Sequence, residues 1–132
     1  MTRKQIMDAL VRGDSLADCD MRGIDLTGVS FDRADLRRAK LAECNLSRAT
    51  FREADLSGAS LWHSICREAN FDLANLEEAD LDFADLDGCT FKGATVRKAI
   101  FPNPRVTLDE ILASVKTGRR VRVEAKHLDE EP

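Results

Sequence analysis

From Asp14 onward the chain repeats a five-residue pattern of apolar and polar positions, beginning Asp14-Ser-Leu-Ala-Asp, Cys19-Asp-Met-Arg-Gly and Ile24-Asp-Leu-Thr-Gly. The pattern runs without a gap through Ala99-Ile-Phe-Pro-Asn103, giving 18 units over 90 residues. The third residue of each unit is large and apolar: ten Leu, five Phe, and Met21, Cys66 and Val96. The first is small: eleven Ala, three Cys, and Asp14, Ile24, Val29 and Ser64. Only seven of the 54 residues at the other three positions are hydrophobic, so those positions are expected to face water.

First and third residues, two apart, point the same way on an extended chain. An α-helix would turn each unit by about 500°, drifting by about 140° per repeat, and could not keep one apolar face. A flat sheet also fails, because an odd period inverts every second unit. The chain must therefore turn a corner once per unit, as a solenoid with short sides does.

Phe31, Phe51, Phe71 and Phe91 recur every 20 residues, with Phe101 an extra at the end. Twenty residues are four units, so a four-sided coil stacks these rings in one inner column. Charge supplies an independent phase. At fourth and fifth positions, residues 20 apart form nine charged pairs, among them Asp18–Arg38, Arg33–Glu53, Arg48–Glu68, Arg67–Asp87 and Glu78–Lys98, and all nine are opposite in sign. Independent signs would do this roughly once in 500 trials, whereas neighbouring strands favour facing opposite charges. Phe51→Asp is accordingly expected to unfold the chain, and Asp55→Ala, at an outward position, to be nearly silent.

Ala34-Asp-Leu-Arg-Arg, Ala54-Asp-Leu-Ser-Gly, Ala74-Asn-Leu-Glu-Glu and Ala84-Asp-Leu-Asp-Gly resemble the pentapeptide-repeat family, whose consensus is close to A-(D/N)-L-x-x. The resemblance covers residues 14–103. It implies an all-β fold, a right-handed quadrilateral β-helix of about four and a half coils, with corners made by the units themselves. The low counts of Gly (7) and Pro (3) agree with such corners. At a parallel-strand spacing of ~4.8 Å the solenoid is roughly 22 Å tall.

A stacked solenoid exposes its core at both ends, so caps are expected. Three segments follow: an N-terminal helical cap (1–13), the repeat β-helix (14–103), and a C-terminal helix with a short strand and tail (104–132). Thr2 to Arg12 reads as a short helix with Ile6, Met7, Leu10 and Val11 on one face, stopped by Gly13. Thr107-Leu-Asp-Glu110 reads as a capping box, with Leu108, Ile111, Leu112 and Val115 as one stripe before Gly118. Arg120 to Lys126 alternates like a half-buried strand, and Asp129 to Pro132 reads as a frayed tail.

Composition adds mainly exclusions. With 33% charged and 43% hydrophobic residues the chain is globular. A net charge of −4 is too balanced to imply a nucleic-acid or membrane partner. No apolar run is long enough for a membrane span, and the first residues lack a secretory apolar region.

Cys19, Cys44 and Cys89 stand at first positions and Cys66 at a centre, so all four replace core residues. With two His, His63 and His127, and no C-x-x-C, no metal site is expected, and a reducing cytoplasm fits best. Cys66 should point inward and His63 outward, so they should not meet as nucleophile and base. Asp80, Asp82, Asp85 and Asp87 fall on two sides and lack His or Cys partners. There is no phosphate-cradling Gly loop and no nucleophile elbow. No catalytic, metal or cofactor-binding residues are assigned, and the chain is not expected to be an enzyme. Arg12-Gly13-Asp14 spells an adhesion tripeptide but sits at a helix–repeat junction and reads as a chance match. The bases Lys116, Arg119, Arg120, Arg122 and Lys126 read as a solvated strand edge.

Among outward hydrophobic residues, Trp62, Phe83 and Ile100 fall on one side in successive coils, His63 and Ile65 flank that corner, and Leu73 lies opposite. Such a cluster is a candidate interaction patch, with Trp62 as its anchor. It is expected to be covered, in the first instance by the chain's own Leu108, Ile111, Leu112 and Val115, and otherwise by a second copy or another protein.

The family resemblance implies a non-enzymatic protein-binding or scaffold module of the bacterial cytoplasm, its protein partner unidentified. One alternative is a DNA mimic that modulates DNA gyrase, a branch of acidic rods dimerised through a C-terminal helix, which would make this chain a homodimer. Another is an accessory or effector of a specialised secretion system. The repeats carry 17 acids and 11 bases, but residues 33–52 hold six bases against two acids, which breaks any continuous negative rail. The binding module is therefore preferred.

Overall fold

A β-turn closes repeat after repeat: the third residue's carbonyl accepts the N–H of the next unit's first residue, as from Val29 to Leu26 (3.1 Å) and from Ala39 to Leu36 (3.0 Å). The fifth residue of the unit, inside the turn, takes positive φ. Gly23, Gly28, Gly58, Gly88 and Gly93 do so without steric cost, but twelve non-glycine residues, from Asp18 to Lys98, do so too, at φ 56 to 62. With two residues in a turn, only the second residue is left to bridge. Parallel bridges then join residues 20 apart, Asp20 to Lys40, Asp25 to Asn45, Ser30 to Thr50, Asp35 to Asp55, and so on to Asp80 and Ile100. Four units therefore make one coil. This computed structural model describes residues 1–102 and 105–123. The expected β-helix differs in one respect: its described sides are single bridging residues rather than extended strands, because a corner interrupts every unit.

The second residue also has a task that its outward facing conceals. In unit after unit its side chain accepts the N–H of the fourth residue, which the turn leaves free. Asn75 Oδ1 holds Glu77 N–H at 3.0 Å, Asp80 Oδ1 holds Asp82 at 2.9 Å, and Asn45 Oδ1 holds Ser47 at 3.1 Å. These are Asx-type turns, for which Asp, Asn and Ser are the natural residues. Where Thr50 and Thr90 stand instead, Asp32 and Asp72 from the coil below take over, each accepting the Arg52 or Lys92 N–H at 3.0 Å. Ile100 precedes Pro102, which has no N–H to hold.

Inside, the phenylalanines stack almost face to face. Centroids of Phe31, Phe51, Phe71 and Phe91 are 5.1, 4.9 and 5.1 Å apart in order, and Phe101 meets Phe91 edge-on at 5.9 Å. Of the columns of opposite charge, three become ion pairs: Arg38–Asp18 (2.8 Å), Arg52–Asp72 (3.4 Å) and Arg97–Glu77 (3.7 Å). Arg67 turns instead to Asp85 (2.7 Å), while Asp87 accepts the Val123 N–H (3.0 Å). Long exposed pairs gain little in water, so the remaining columns need not close.

Two helices meet the ends, α1 (Arg3–Arg12) and α2 (Leu108–Thr117). Thr2 begins α1 with a complete capping box: Gln5 N–H donates to Thr2 Oγ1, and Thr2 N–H to Gln5 Oε1. Gly13 ends it at φ 74. The buried edge of α1 is Ile6 and Ala9 with Leu10 beside them, narrower than expected: Met7 and Val11 are exposed, because only the i, i+3, i+4 row touches the coil. The Arg3 guanidinium donates to the Asp25 and Thr27 carbonyls (3.0 and 3.1 Å), which in higher coils would take an N–H from the coil below.

The other end is finished by the same logic. Phe71 N–H donates upward to Thr90, but Phe91 has no coil above and donates instead to Ser114 Oγ (3.0 Å). Gly93 and Gly88 donate to the Val115 and Val121 carbonyls (2.9 and 2.7 Å). The segment after the repeats thus substitutes for a missing coil. Ile111 and Ser114 are buried, while Leu108 and Leu112 of the expected stripe are exposed, since the 111–114–115 edge makes the contact. Thr107 caps Glu110 N–H at 3.2 Å, but among the described residues Glu110 Oε2 has no partner, so the capping box is half formed. Of the expected strand, Val121 is buried and pairs with Cys89 through its N–H (2.8 Å); residues 124–126, His127 and the tail lie outside the described residues.

Candidate interaction surface

The twenty-residue coil sets Phe83 one turn above His63, and Trp62 precedes His63 in the chain. The three rings meet. His63 and Phe83 stack with centroids 5.4 Å apart and planes 22° from parallel; Trp62 lies 4.5 Å from His63 and edge-on to Phe83 at 6.1 Å. Ile65 stands on the next bridging column and Ile100 two coils above Ser60, flanking this aromatic group without sharing its ring contacts. All five are exposed, Phe83 to 62%.

The expected cover by the chain's own helix is not what the structure shows. Trp62 is 39% exposed, and α2 is committed to the Phe91 end by its register with the last coil. Beside the rings a cavity of about 490 Å³ opens between His63, Phe83, Pro102, Arg105, Val106 and Val123, with Asp82 and Asp85 on its rim. Its far wall was not foreseeable: Pro102 ends the repeat pattern and Arg105 to Val123 follow it, and no periodicity ties them to His63.

The remaining candidate chemistry resolves into structure. Cys66 is fully buried, its Sγ 3.1 Å from Ser64 Oγ, and burial pushes its thiol up to about 12, while His63 faces outward to its aromatic neighbours. Burial also raises the thiols of Cys44 and Cys89, which donate to the Met21 and Cys66 carbonyls. The acids are turn elements: Asp80 caps Asp82, Asp82 caps Phe83, and Asp85 caps Asp87 while pairing with Arg67. Among the described residues no three His, Cys, Asp or Glu side chains converge as metal ligands. Arg12-Gly13-Asp14 is the end of α1, with Arg12 Nε on Asp14 Oδ2 at 2.9 Å.

A sequence model of pentapeptide repeats, eight copies long, matches residues 19–58 and 54–93. The chain belongs to the pentapeptide repeat family. Members of this family form right-handed quadrilateral β-helices. A thylakoid-lumen pentapeptide repeat protein of Arabidopsis thaliana is 30% identical with a TM-score of 0.60, over 62% of this chain and 57% of that one. Rfr23, a pentapeptide repeat protein of the cyanobacterium Cyanothece 51142, is 29% identical with a TM-score of 0.52, over 63% and 53%. A third, from Nostoc PCC 7120, is 28% identical with a TM-score of 0.66, over 78% and 87%. The chain thus spans little more than half the length of the first two. No curated protein sequence matches it significantly.

Proposed function

We propose that this pentapeptide repeat chain is a non-enzymatic protein-binding module of the bacterial cytoplasm, a rigid right-handed solenoid capped by α1 and α2 that presents one recognition face. The observation that carries this reading is the exposed aromatic group of Trp62, His63 and Phe83 beside a cavity. Clustered exposed aromatics are uncommon on a surface without a partner and supply large contact area at low entropic cost. A solenoid held by a hydrogen-bond ladder presents them with little loss of freedom on binding. Three buried cysteines carried as thiols suit a reducing compartment.

The test is comparative affinity capture from a bacterial lysate with the full chain and with its Phe83→Ser variant, both checked for folding by thermal melt. A protein retained by the first and lost by the second supports the module and assigns the face. Retention of the same proteins by both variants sinks the assignment.

A further inference from the structure

We infer that the Trp62–His63–Phe83 face receives a protein segment that presents an arginine or lysine next to a large apolar residue. This rests on the protein-binding reading and adds the chemistry of the partner.

Two residues of the face put large apolar side chains at positions of the repeat that face water, Phe83 at the fifth and Ile65 at the second. His63 and Phe83 occupy the fifth position at φ 60, a conformation that ten other non-glycine residues of the repeats share, so the backbone there does not call for these side chains. Ile65 occupies the second position, where Asp, Asn or Ser often holds the fourth-residue N–H, and it offers no acceptor to Arg67; among the described residues the N–H groups of Ala42, Trp62 and Arg97 are likewise not held by a side chain. Phe83 and Ile65 are 62% and 43% exposed, so neither is there to fill the core. Large apolar side chains left exposed together at water-facing positions mark an interaction surface.

The surroundings select the ligand. Aromatic faces attract cations, above all guanidinium. The rim adds negative charge: Glu43 lies one coil below His63, and Asp80 and Asp82 lie in the coil above Ser60 and Trp62. Asp80 and Asp82 each give Oδ1 to a turn N–H, and neither has an ion-pair partner among the described residues. Asp85 is already neutralised by Arg67 at 2.7 Å. Against these acids stand Arg105 on the far wall and Lys40 below Ser60. The excess is negative, which repels phosphate and suits a basic side chain over the rings. The cavity of about 490 Å³, walled by Pro102, Val106 and Val123, then accepts the apolar neighbour.

Trp62 is the only tryptophan, so its emission reports occupancy of the face directly. The experiment pans a phage-displayed random dodecapeptide library on the full chain, with Phe83→Gly for counter-selection, and titrates the enriched synthetic peptides by Trp62 fluorescence. Enriched peptides should pair Arg or Lys with Leu, Ile, Met or Phe, shift Trp62 emission, and lose at least tenfold in affinity with Asp82→Asn, which keeps the turn acceptor and removes the charge. Phe83→Gly and Ile65→Asp should melt at or above the wild-type temperature. Peptides without a basic residue, or indifferent to Asp82→Asn, overturn the cationic partner but leave the binding module standing. No enriched peptide, or equal binding to Phe83→Gly, overturns both. A clear fall in melting temperature for Phe83→Gly would make Phe83 a structural residue and overturn its role here.

Discussion

Asp55 Oδ1 accepts two hydrogen bonds from Ser57, one from its N–H at 3.0 Å and one from its hydroxyl at 2.7 Å. The side chain faces outward, as the five-residue alternation predicts, yet it holds the turn's free N–H. Asp55→Ala should therefore cost about 1 kcal/mol, as loss of a comparable side-chain cap does, rather than being silent. Phe51→Asp places a carboxylate between rings 5.1 and 4.9 Å away. Burying an unpaired charge costs several kcal/mol or more, enough to unfold a marginal domain. Urea melts should show a modest shift for the first and no cooperative transition for the second. Equal losses would overturn the inward and outward assignment.

Ser114 is fully buried and stands where a further coil would offer a carbonyl to Phe91. Ser114→Ala leaves that buried N–H without an acceptor, a loss of about 1–3 kcal/mol. Leu112→Ala, on the exposed side of the same helix, should stay within about 0.5 kcal/mol. Trp62 emission should not move in either variant, because α2 finishes the Phe91 end and not the aromatic face. A red shift on Ser114→Ala would show that α2 shields Trp62 after all.

How much of this was legible follows from what each residue type can signal. The stack of Phe31 to Phe91 could be read directly, because third positions repeat in both identity and spacing. The abundance of Asp, Asn and Ser at second positions was equally visible, but solvation explains it as well as turn capping does, and only the turn geometry separates the two. The left-handed corner carries no such mark: Arg, Glu, His, Leu and Phe occupy it beside Gly, because the ladder over-determines the backbone there. The aromatic face was visible as outward hydrophobic residues, and the spacing of 20 sets Phe83 above His63. Its openness was not visible, since the side of α2 that is buried depends on how Ser114 meets the last coil. Arg3 and Ser114 completing the ladder could not be found either; their partners are backbone atoms.

Acid should weaken the fold. The guanidinium of Arg22 beside Asp20, and that of Arg37 beside Asp35 with Ser15 adding a hydrogen bond, hold both carboxyls well below the usual carboxylate range, and Arg38 lowers Asp18. A carboxyl with a depressed folded value stabilises above its ordinary value, near pH 4, and loses that contribution as pH falls through the folded value. The melting temperature should thus hold from neutral pH down to about pH 4 and decline below it. Each exposed pair contributes little, so the decline should be shallow. Arg22→Gln with Arg37→Gln should flatten it further. A melting temperature that rises toward pH 3 would show that these pairs add no net stability.

DNA gyrase provides the sharpest test of the alternative function. A protein that mimics duplex DNA must present acids as a continuous, uncommitted rail. Here the column Asp32–Arg52–Asp72–Lys92 alternates in sign, and its acids are turned to backbone N–H groups at 3.0 Å, with Arg52 also on Asp72 at 3.4 Å. Asp18 is bound to Arg38 at 2.8 Å in the same manner. The acids around the aromatic face that have no ion pair among the described residues, Glu43, Asp80 and Asp82, are interrupted by Trp62 and His63. Purified full chain at micromolar concentration should therefore leave gyrase supercoiling of relaxed plasmid unchanged. Dose-dependent inhibition, weakened by Asp72→Lys in a variant that melts normally, would restore the DNA mimic and displace the binding module.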